Sequence, residues 1–292
     1  MLLIFNPNAG QQRFPAYLYD VVNIFTLAGF LVTVLPTRAN GCAGDAIARY
    51  AEDHEYVVCS GGDGTIGECI DALLQLEKRP VFGVIPSGTA NDFAVSLGIP
   101  KDIISAAGII TGGNAKALDI GRFGSRHFSY VAGFGIFTDV AYSTPQNLKN
   151  VLGSLAYLLE GIKRLGSIKT YGCGFMLDGE AVNGGFILGL VANTHSVGGF
   201  RLPGTIDVRM DDGMFEVILL KRPRTLRDHQ QIIASLRKQE NGSDLLIIRK
   251  ASKVEFSSPM PVAWTLDGDF GGECKDVVIE NVPHAINVMV PG

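Results

Sequence analysis

Tyr56-Val57-Val58-Cys59-Ser60-Gly61-Gly62-Asp63-Gly64-Thr65-Ile66 runs from an apolar, β-rich stretch through a glycine turn into a window of helical spacing that ends near Leu76. A strand, a tight turn and a helix in that order form half of a βαβ unit, and such units imply a parallel sheet. Glycines let the backbone come close to a ligand, and the N–H groups opening the following helix favour an anion. The same run spells Gly62-x-Gly64-x-x-Gly67, the spacing of a dinucleotide-binding turn. That chemistry needs a carboxylate at the end of the next strand to hold a ribose. The next strand ends Ile85-Pro86-Ser87, without one. Asp63, inside the loop, opposes a bare pyrophosphate but suits a phosphate accompanied by a cation, so the residues favour phosphate with Mg²⁺ over a nicotinamide dinucleotide. The chain has no Gly-x4-Gly-Lys-Ser/Thr, His-Glu-x-x-His or Gly-x-Ser-x-Gly, which removes P-loop, zinc-protease and serine-hydrolase readings.

Outward from this unit the first 120 residues keep one rhythm. β-rich runs at Leu2–Asn6, Leu31–Leu35, Tyr56–Ser60 and Val81–Pro86 alternate with helical windows at 15–29, 44–51, 65–77, 91–97 and 102–111. The runs are apolar without strict alternation, as expected of strands covered by helices on both faces. Ligands of such sheets bind beyond the carboxyl ends of the strands. There the chain places Asn6-Pro7-Asn8-Ala9-Gly10, Pro36-Thr37, the glycine loop itself and Pro86-Ser87-Gly88-Thr89-Ala90-Asn91-Asp92. Two polar glycine loops one βαβ unit apart point to a ligand site rather than to two tight connections.

After about Gly121 the pattern changes to strands punctuated by Gly, Asn, Asp and Pro, with helical windows only near 149–164 and 225–238. The first window carries one apolar face, Val151, Leu152, Leu155, Leu158, Leu159 and Ile162, which suits core packing or the wall of an apolar cleft. The expected fold is therefore α/β in two domains. A parallel domain over 1–120, which the terminal segment 284–292 is placed to rejoin, precedes a mainly antiparallel β domain over 121–283. Of 292 residues, 36 are glycine, 47% are hydrophobic and 18% charged, which excludes disorder and coiled coil. Ala181–Phe200, the best apolar stretch, is broken by Asn183, Asn193, His195 and glycines, which argues against a membrane span. Met1–Pro7 lacks a basic region and a cleavage site, so the cytoplasm is the expected compartment. Cys42, Cys59, Cys69, Cys173 and Cys274 show no metal or disulfide spacing. Net charge is −4, split as −5 over 1–120 and +1 beyond, with a local +5 over 221–250. That basic stretch suits an anionic membrane surface or a solvated helix face; nucleic acid is not expected.

Gly61-Gly62-Asp63-Gly64-Thr65 followed by Pro86-x-Gly88-Thr89-x-Asn91-Asp92-Phe93-Ala94 resembles the diacylglycerol kinase catalytic family, in its soluble bacterial lipid kinase branch. Asn6-Pro7-x-Ala9-Gly10 and Leu266-Asp267-Gly268-Asp269 extend the resemblance over the whole chain. It implies a Rossmann-like nucleotide-binding domain, a β-sandwich-like second domain and an active site in the cleft between them. ATP and Mg²⁺ are the implied cofactors and a membrane lipid the implied substrate, with peripheral membrane attachment; such an enzyme could also be a homodimer. By resemblance Asn6, Gly10, Thr37, Gly61, Gly62, Gly64, Thr65, Glu68, Gly88, Thr89 and Asn91 belong to the ATP site. Asp63 and Asp119 belong to the catalytic network, and Asp212 with the carbonyls of Arg209 and Met214 would hold a structural Mg²⁺. Read without the family, Asp211-Asp212-Gly213 is an ordinary turn.

The family's base is the Glu of Asp-Gly-Glu, which takes the proton of the lipid hydroxyl as it attacks the γ-phosphate. This chain has Asp267-Gly268-Asp269, a carboxylate one methylene shorter, with Asp267 intact beside it. Gly67 replaces the family's Asn and Ala9 its Ser. Alternatives therefore stay open: chemistry like that of NAD kinases, which share the Gly-Gly-Asp-Gly loop, or a nucleotide-binding regulatory homologue with little kinase activity. His195 borders a polar loop without partner spacing.

Overall fold

The computed structural model describes the chain apart from residues 11, 39–41, 137–168, 195, 198–199, 202–207, 226, 229, 233–234 and 236–243. The apolar window at 149–164, His195, and Arg237 and Lys238 of the basic stretch lie outside the described residues. The described residues fall into two compact units, Met1–Ile120 with Pro283–Gly292, and Gly121–Val282.

In the first unit β1 (Leu2–Phe5), β2 (Thr33–Pro36), β3 (Tyr56–Gly61) and β4 (Val81–Pro86) alternate with α1 (Phe14–Leu27), α2 (Cys42–Tyr50), α3 (Asp63–Leu74), α4 (Asp92–Ser96) and α5 (Ile103–Gly112). The sheet order is β2-β1-β3-β4, every pair parallel, with Leu2 beside Thr33 and Val57, and Val57 beside Phe82. Unbroken apolar runs make both faces of these strands buryable, and Leu2, Leu3, Ile4, Val57, Val58 and Cys59 are wholly buried. The helices present one apolar face each, through Phe14, Val21 and Phe25 of α1, Ile66, Cys69, Ile70 and Leu73 of α3, and Ile103, Ala106 and Ile110 of α5. Asp102 starts α5 as an N-cap, its Oδ2 accepting from the Ser105 N–H at 2.8 Å.

The chain passes from the first unit to the second along β5 (Asn114–Phe123) and continues there as β6 (Arg126–Phe128), β7 (Val131–Gly135), β8 (Tyr171–Leu177), β9 (Glu180–Ala192), β10 (Ser196–Val197) and β11 (Phe200–Arg201). β12 (Phe215–Lys221), β13 (Leu246–Ala251), β14 (Lys253–Leu266) and β15 (Asp269–Val290) follow. The order is β13-β12-β9-β7-β14-β15, antiparallel throughout, and β8 bridges β9 and β14. β8 alternates buried and accessible residues, the signature of a strand with one face on a core. That core is aromatic: Phe134, Phe256 and Trp264 hold their ring centroids 5.0–5.7 Å apart. The terminal β-rich run read as 285–290 is the end of a longer strand, β15, whose Val288 pairs in parallel with Phe82 of β4. The chain thus leaves the first unit inside β5 and re-enters it inside β15. In the 225–238 window residues 227, 228, 230–232 and 235 are helical. Thr225 and Asp228 open this helix by exchanging hydrogen bonds of 2.8 and 3.1 Å, a capping-box arrangement. No helix among the described residues is long and apolar enough to cross a membrane.

Candidate active site

The parallel register ends β1, β3 and β4 at one level, with Phe5 beside Ser60 and Gly61 beside Pro86. Their loops therefore leave the same edge, and backbone bonds extend the ladder one residue further. The Asn6 N–H reaches the Ser60 carbonyl at 2.9 Å, the Ser87 N–H that of Gly61 at 2.9 Å, and the Thr37 N–H that of Phe5 at 2.8 Å. Side chains then lock loop to loop. Asn6 Nδ2 donates to Thr65 Oγ1 at 3.2 Å, while its Oδ1 accepts from the Asn8 N–H at 2.9 Å, an Asx turn. Ser60 Oγ lies 3.3 Å from Ser87 Oγ. Asn91, left-handed at φ 58° and buried, accepts from the Gly88 N–H at 2.8 Å and donates to the Gly88 carbonyl at 2.9 Å.

Glycine is needed where the two glycine loops touch. A Cβ on Gly88 would stand 2.5 Å from the Gly62 Cα and 2.9 Å from Asn91 Oδ1. Gly10, at φ +55°, would drive a Cβ into the Ser87 carbonyl. The glycines thus serve the packing of the three loops on one another as well as leaving room beside them. Gly10, Gly64 and Thr89 are exposed at the rim, Thr37 is buried, and Glu68 is half-buried along α3.

Asp63 is the first residue of α3, where Gly62 serves as N-cap without a side-chain bond. Burial raises its pKa; the Phe93 N–H, 3.2 Å from Oδ1, opposes that, and the charge of Asp92 raises it again. Two carboxylates held at the starts of α3 and α4, one of them pushed toward its neutral form, suit a cation that would relieve both. Among the described residues no group of three or more His, Cys, Asp or Glu surrounds a metal position, so Asp63 and Asp92 are the residues that would hold Mg²⁺. Sequence reasoning missed Asp92 as a site residue. Its signal is an acid at the first position of the helix after β4, repeating the place of Asp63 after β3.

Asp119 lies in β5 within the first unit, fully buried, and its Oδ1 accepts from the His284 N–H at 2.9 Å. His284 has φ 53°, so this bond holds a kinked backbone where β15 re-enters the unit. Asp267 lies in the second unit, in the turn between β14 and β15, at φ 52°. Its Oδ2 accepts from the Ser129 N–H at 2.6 Å and the Ser129 hydroxyl at 2.7 Å, and its Oδ1 from the N–H groups of Tyr130 and Val131, each at 3.0 Å. The Tyr130 hydroxyl closes the turn on the Asp267 carbonyl at 2.9 Å. Burial pushes the Asp267 pKa up to about 6 against the pull of these donors. Both oxygens are engaged, so Asp267 builds the turn, while Asp269 at the head of β15 is exposed. Sequence reading missed Ser129–Val131, which lie well over 100 residues away along the chain.

Residues 1–123 match the diacylglycerol kinase catalytic domain. Nearly the whole chain aligns with the diacylglycerol kinase of Bacillus subtilis (strain 168), 35% identical over 294 residues, 99% of this chain and 95% of that one. The chain belongs to the diacylglycerol kinase catalytic family. It is 34% identical to the diacylglycerol kinase of Staphylococcus carnosus (strain TM300) over 99% of this chain and 94% of that one. A crystal structure from Bacillus anthracis str. Sterne, described as a diacylglycerol kinase candidate, superposes with a TM-score of 0.84 at 27% identity, covering 99% of this chain and 94% of that one. The protein is thus a kinase, a phosphotransferase on a mixed α/β fold.

Membership carries an expectation of a structural Mg²⁺ at Asp212, Arg209 and Met214, and the residues do not fit it. Asp212 Oδ1 accepts from the Met214 N–H at 3.2 Å, and its Oδ2 lies 2.9 Å from the Lys250 ammonium. Lys250 also stands 3.5 Å from Glu216 Oε1, whose side chain is wholly buried. Arg209 turns its guanidinium to Asp211 at 3.2 Å. Burial raises the Glu216 pKa to about 7, moderated by Lys250. Asp212 thus has one oxygen on the Lys250 ammonium and the other on the Met214 N–H, so both are already engaged. Glu216 escaped the sequence reading, its signal a lone acid inside the apolar run Phe215–Lys221, and Lys250, counted there in the basic stretch 221–250, is instead a β13 residue turned to Asp212 and Glu216.

Proposed function

We propose that the protein transfers the γ-phosphate of ATP, with Mg²⁺, to the hydroxyl of a diacylglycerol-like lipid. The interlocked loops at Gly62 and Gly88, with Asp63 half-buried at the start of α3, carry this reading. In it the first unit is a Rossmann-like nucleotide-binding domain. Backbone N–H groups of the glycine loops bind the phosphates, and the Asn6–Thr65 hydrogen bond ties the first loop to the glycine loop. Asp63 would hold Mg²⁺, which would supply neutralisation of the phosphate charge. Asp269 takes the proton of the lipid hydroxyl, and Asp267, fixed by Ser129–Val131, positions the turn that presents it. Asp119 acts through the backbone it holds at His284. Lys221, Arg222, Arg224 and Arg227, at the end of β12 and the start of the helix after it, would meet an anionic membrane surface.

The test is Mg²⁺-dependent transfer of labelled γ-phosphate to a lipid panel in mixed micelles, with Asp63→Ala and Asp269→Ala beside the wild type. Transfer to one lipid, lost in both variants, is the expected result. ATP binding without transfer to any lipid overturns the lipid kinase reading. A second reading, a nucleotide-binding homologue with weak turnover, is favoured by the short carboxylate at Asp269. Asp269→Glu separates the two: a large rise in rate marks a slowed kinase, and no rise with no basal transfer marks the homologue.

A further inference from the structure

We infer that the Lys250 ammonium is the resident cation of the 209–214 loop, standing where a divalent ion is expected, so that this loop holds its shape without metal. Two independent features bring the charge there. Lys250 of β13 lies directly opposite Glu216 of β12 in the antiparallel register, so the sheet itself delivers the side chain. The 210–213 turn that precedes β12 then carries Asp212 onto the same ammonium, at 2.9 Å against 3.5 Å for Glu216. Glu216 is wholly buried in a strand otherwise made of Phe, Val, Ile and Leu up to Lys221. A buried carboxylate requires a partner, and breaking such a pair from one side is strongly destabilising. Mg²⁺ demands oxygens at roughly 2.1 Å. The ammonium on Asp212 Oδ2 takes the place of a cation at that oxygen, and Oδ1 is held by the Met214 N–H.

The inference does not depend on the catalytic reading, because stability and metal content report on it and phosphotransfer does not. The whole protein is melted in EDTA and in millimolar Mg²⁺, without nucleotide, and its metal content is measured after gel filtration. The expected result is one Tm in both solutions and no stoichiometric divalent ion. Lys250→Met should lower Tm by several degrees in EDTA, and Mg²⁺ should recover part of that loss through the vacated carboxylates. The recovery should vanish when Asp212→Asn is added. A wild type that loses stability in EDTA, or that retains a stoichiometric ion lost on Asp212→Asn, overturns the inference. So does a Lys250→Met protein that melts like the wild type, or one that Mg²⁺ leaves unchanged. Should Lys250→Met fail to fold, the wild-type measurements stand alone, and Lys250→Arg, which keeps the charge, should reproduce them.

Discussion

Gly88→Ala tests whether the two glycine loops are truly built on one another. The added methyl would lie 2.5 Å from the Gly62 Cα, and that neighbour is backbone, not a side chain that can swing away. Carbon atoms rest at about 3.5 Å or more, so the loops must part by about 1 Å. Overpacking of this kind costs about 1–3 kcal/mol. The methyl would also crowd Asn91 Oδ1 at 2.9 Å and weaken the paired Asn91–Gly88 bonds, each worth about 1 kcal/mol. Against this stands the reduced freedom of the unfolded chain, which favours alanine by about 0.4–1 kcal/mol. The net is a loss of about 2 kcal/mol centred on the ends of β3 and β4. In the proposed site a displacement of ~1 Å breaks an N–H bond to phosphate, worth about 1.5–3 kcal/mol, so ATP affinity should fall by about tenfold to a hundredfold. The control is Gly108→Ala in α5, where a Cβ meets nothing within 4 Å, and which should stabilise by about 0.5–1 kcal/mol. Amide exchange across β3 and β4 and calorimetric ATP titration read the two effects. A Gly88→Ala protein with wild-type exchange and wild-type affinity would refute the backbone-to-backbone packing and, with it, the reason for glycine at both positions.

Glu216, whose folded pKa is raised from 4.5 to about 7, binds a proton more tightly in the native state. It therefore supports stability at low pH, and about 3 kcal/mol is lost as pH rises from about 4.5 to about 7. Glu216→Gln should flatten that part of a Tm-against-pH curve, and an unchanged slope would show that another group sets it. Asp267→Asn presents an NH₂ to a backbone donor whichever way it turns, since Oδ1 and Oδ2 both accept N–H bonds. One stranded donor costs about 1–3 kcal/mol in urea unfolding, and a variant as stable as the wild type would mean the turn does not rest on this carboxylate. Arg222→Glu combined with Arg224→Glu should weaken sedimentation with anionic vesicles while leaving transfer to micellar lipid in place; undiminished vesicle binding would move the membrane contact elsewhere.

The first unit was legible because its signals are local. Strands buried on both faces read as apolar runs, and each of β1, β3 and β4 ends in a loop whose polarity breaks that run at once, so the strands came within about two residues of their observed ends and the helices within about three. What those loops do with their glycines was only half legible. Spacing suggested room for phosphate, whereas Gly88 against Gly62 is also a contact between two loops that one sequence cannot show to be neighbours. The second unit hides more, since its decisive pairings join distant segments: Asp267 to Ser129–Val131, Asp119 to His284, Glu216 to Lys250. Each is an acid whose decisive partner lies far away along the chain. This common feature turns the failure into a rule for reading such chains. An acid at the end of an apolar run, as Asp63 is, has open space beyond the sheet to serve, and a ligand role is the economical reading. An acid inside an apolar run, as Glu216 and Asp119 are, must find a donor on another strand before it can be buried at all. Asp267 sits between these cases, at a turn yet saturated by four donors, which is why the proposed function gives the proton transfer to the exposed short carboxylate two residues later.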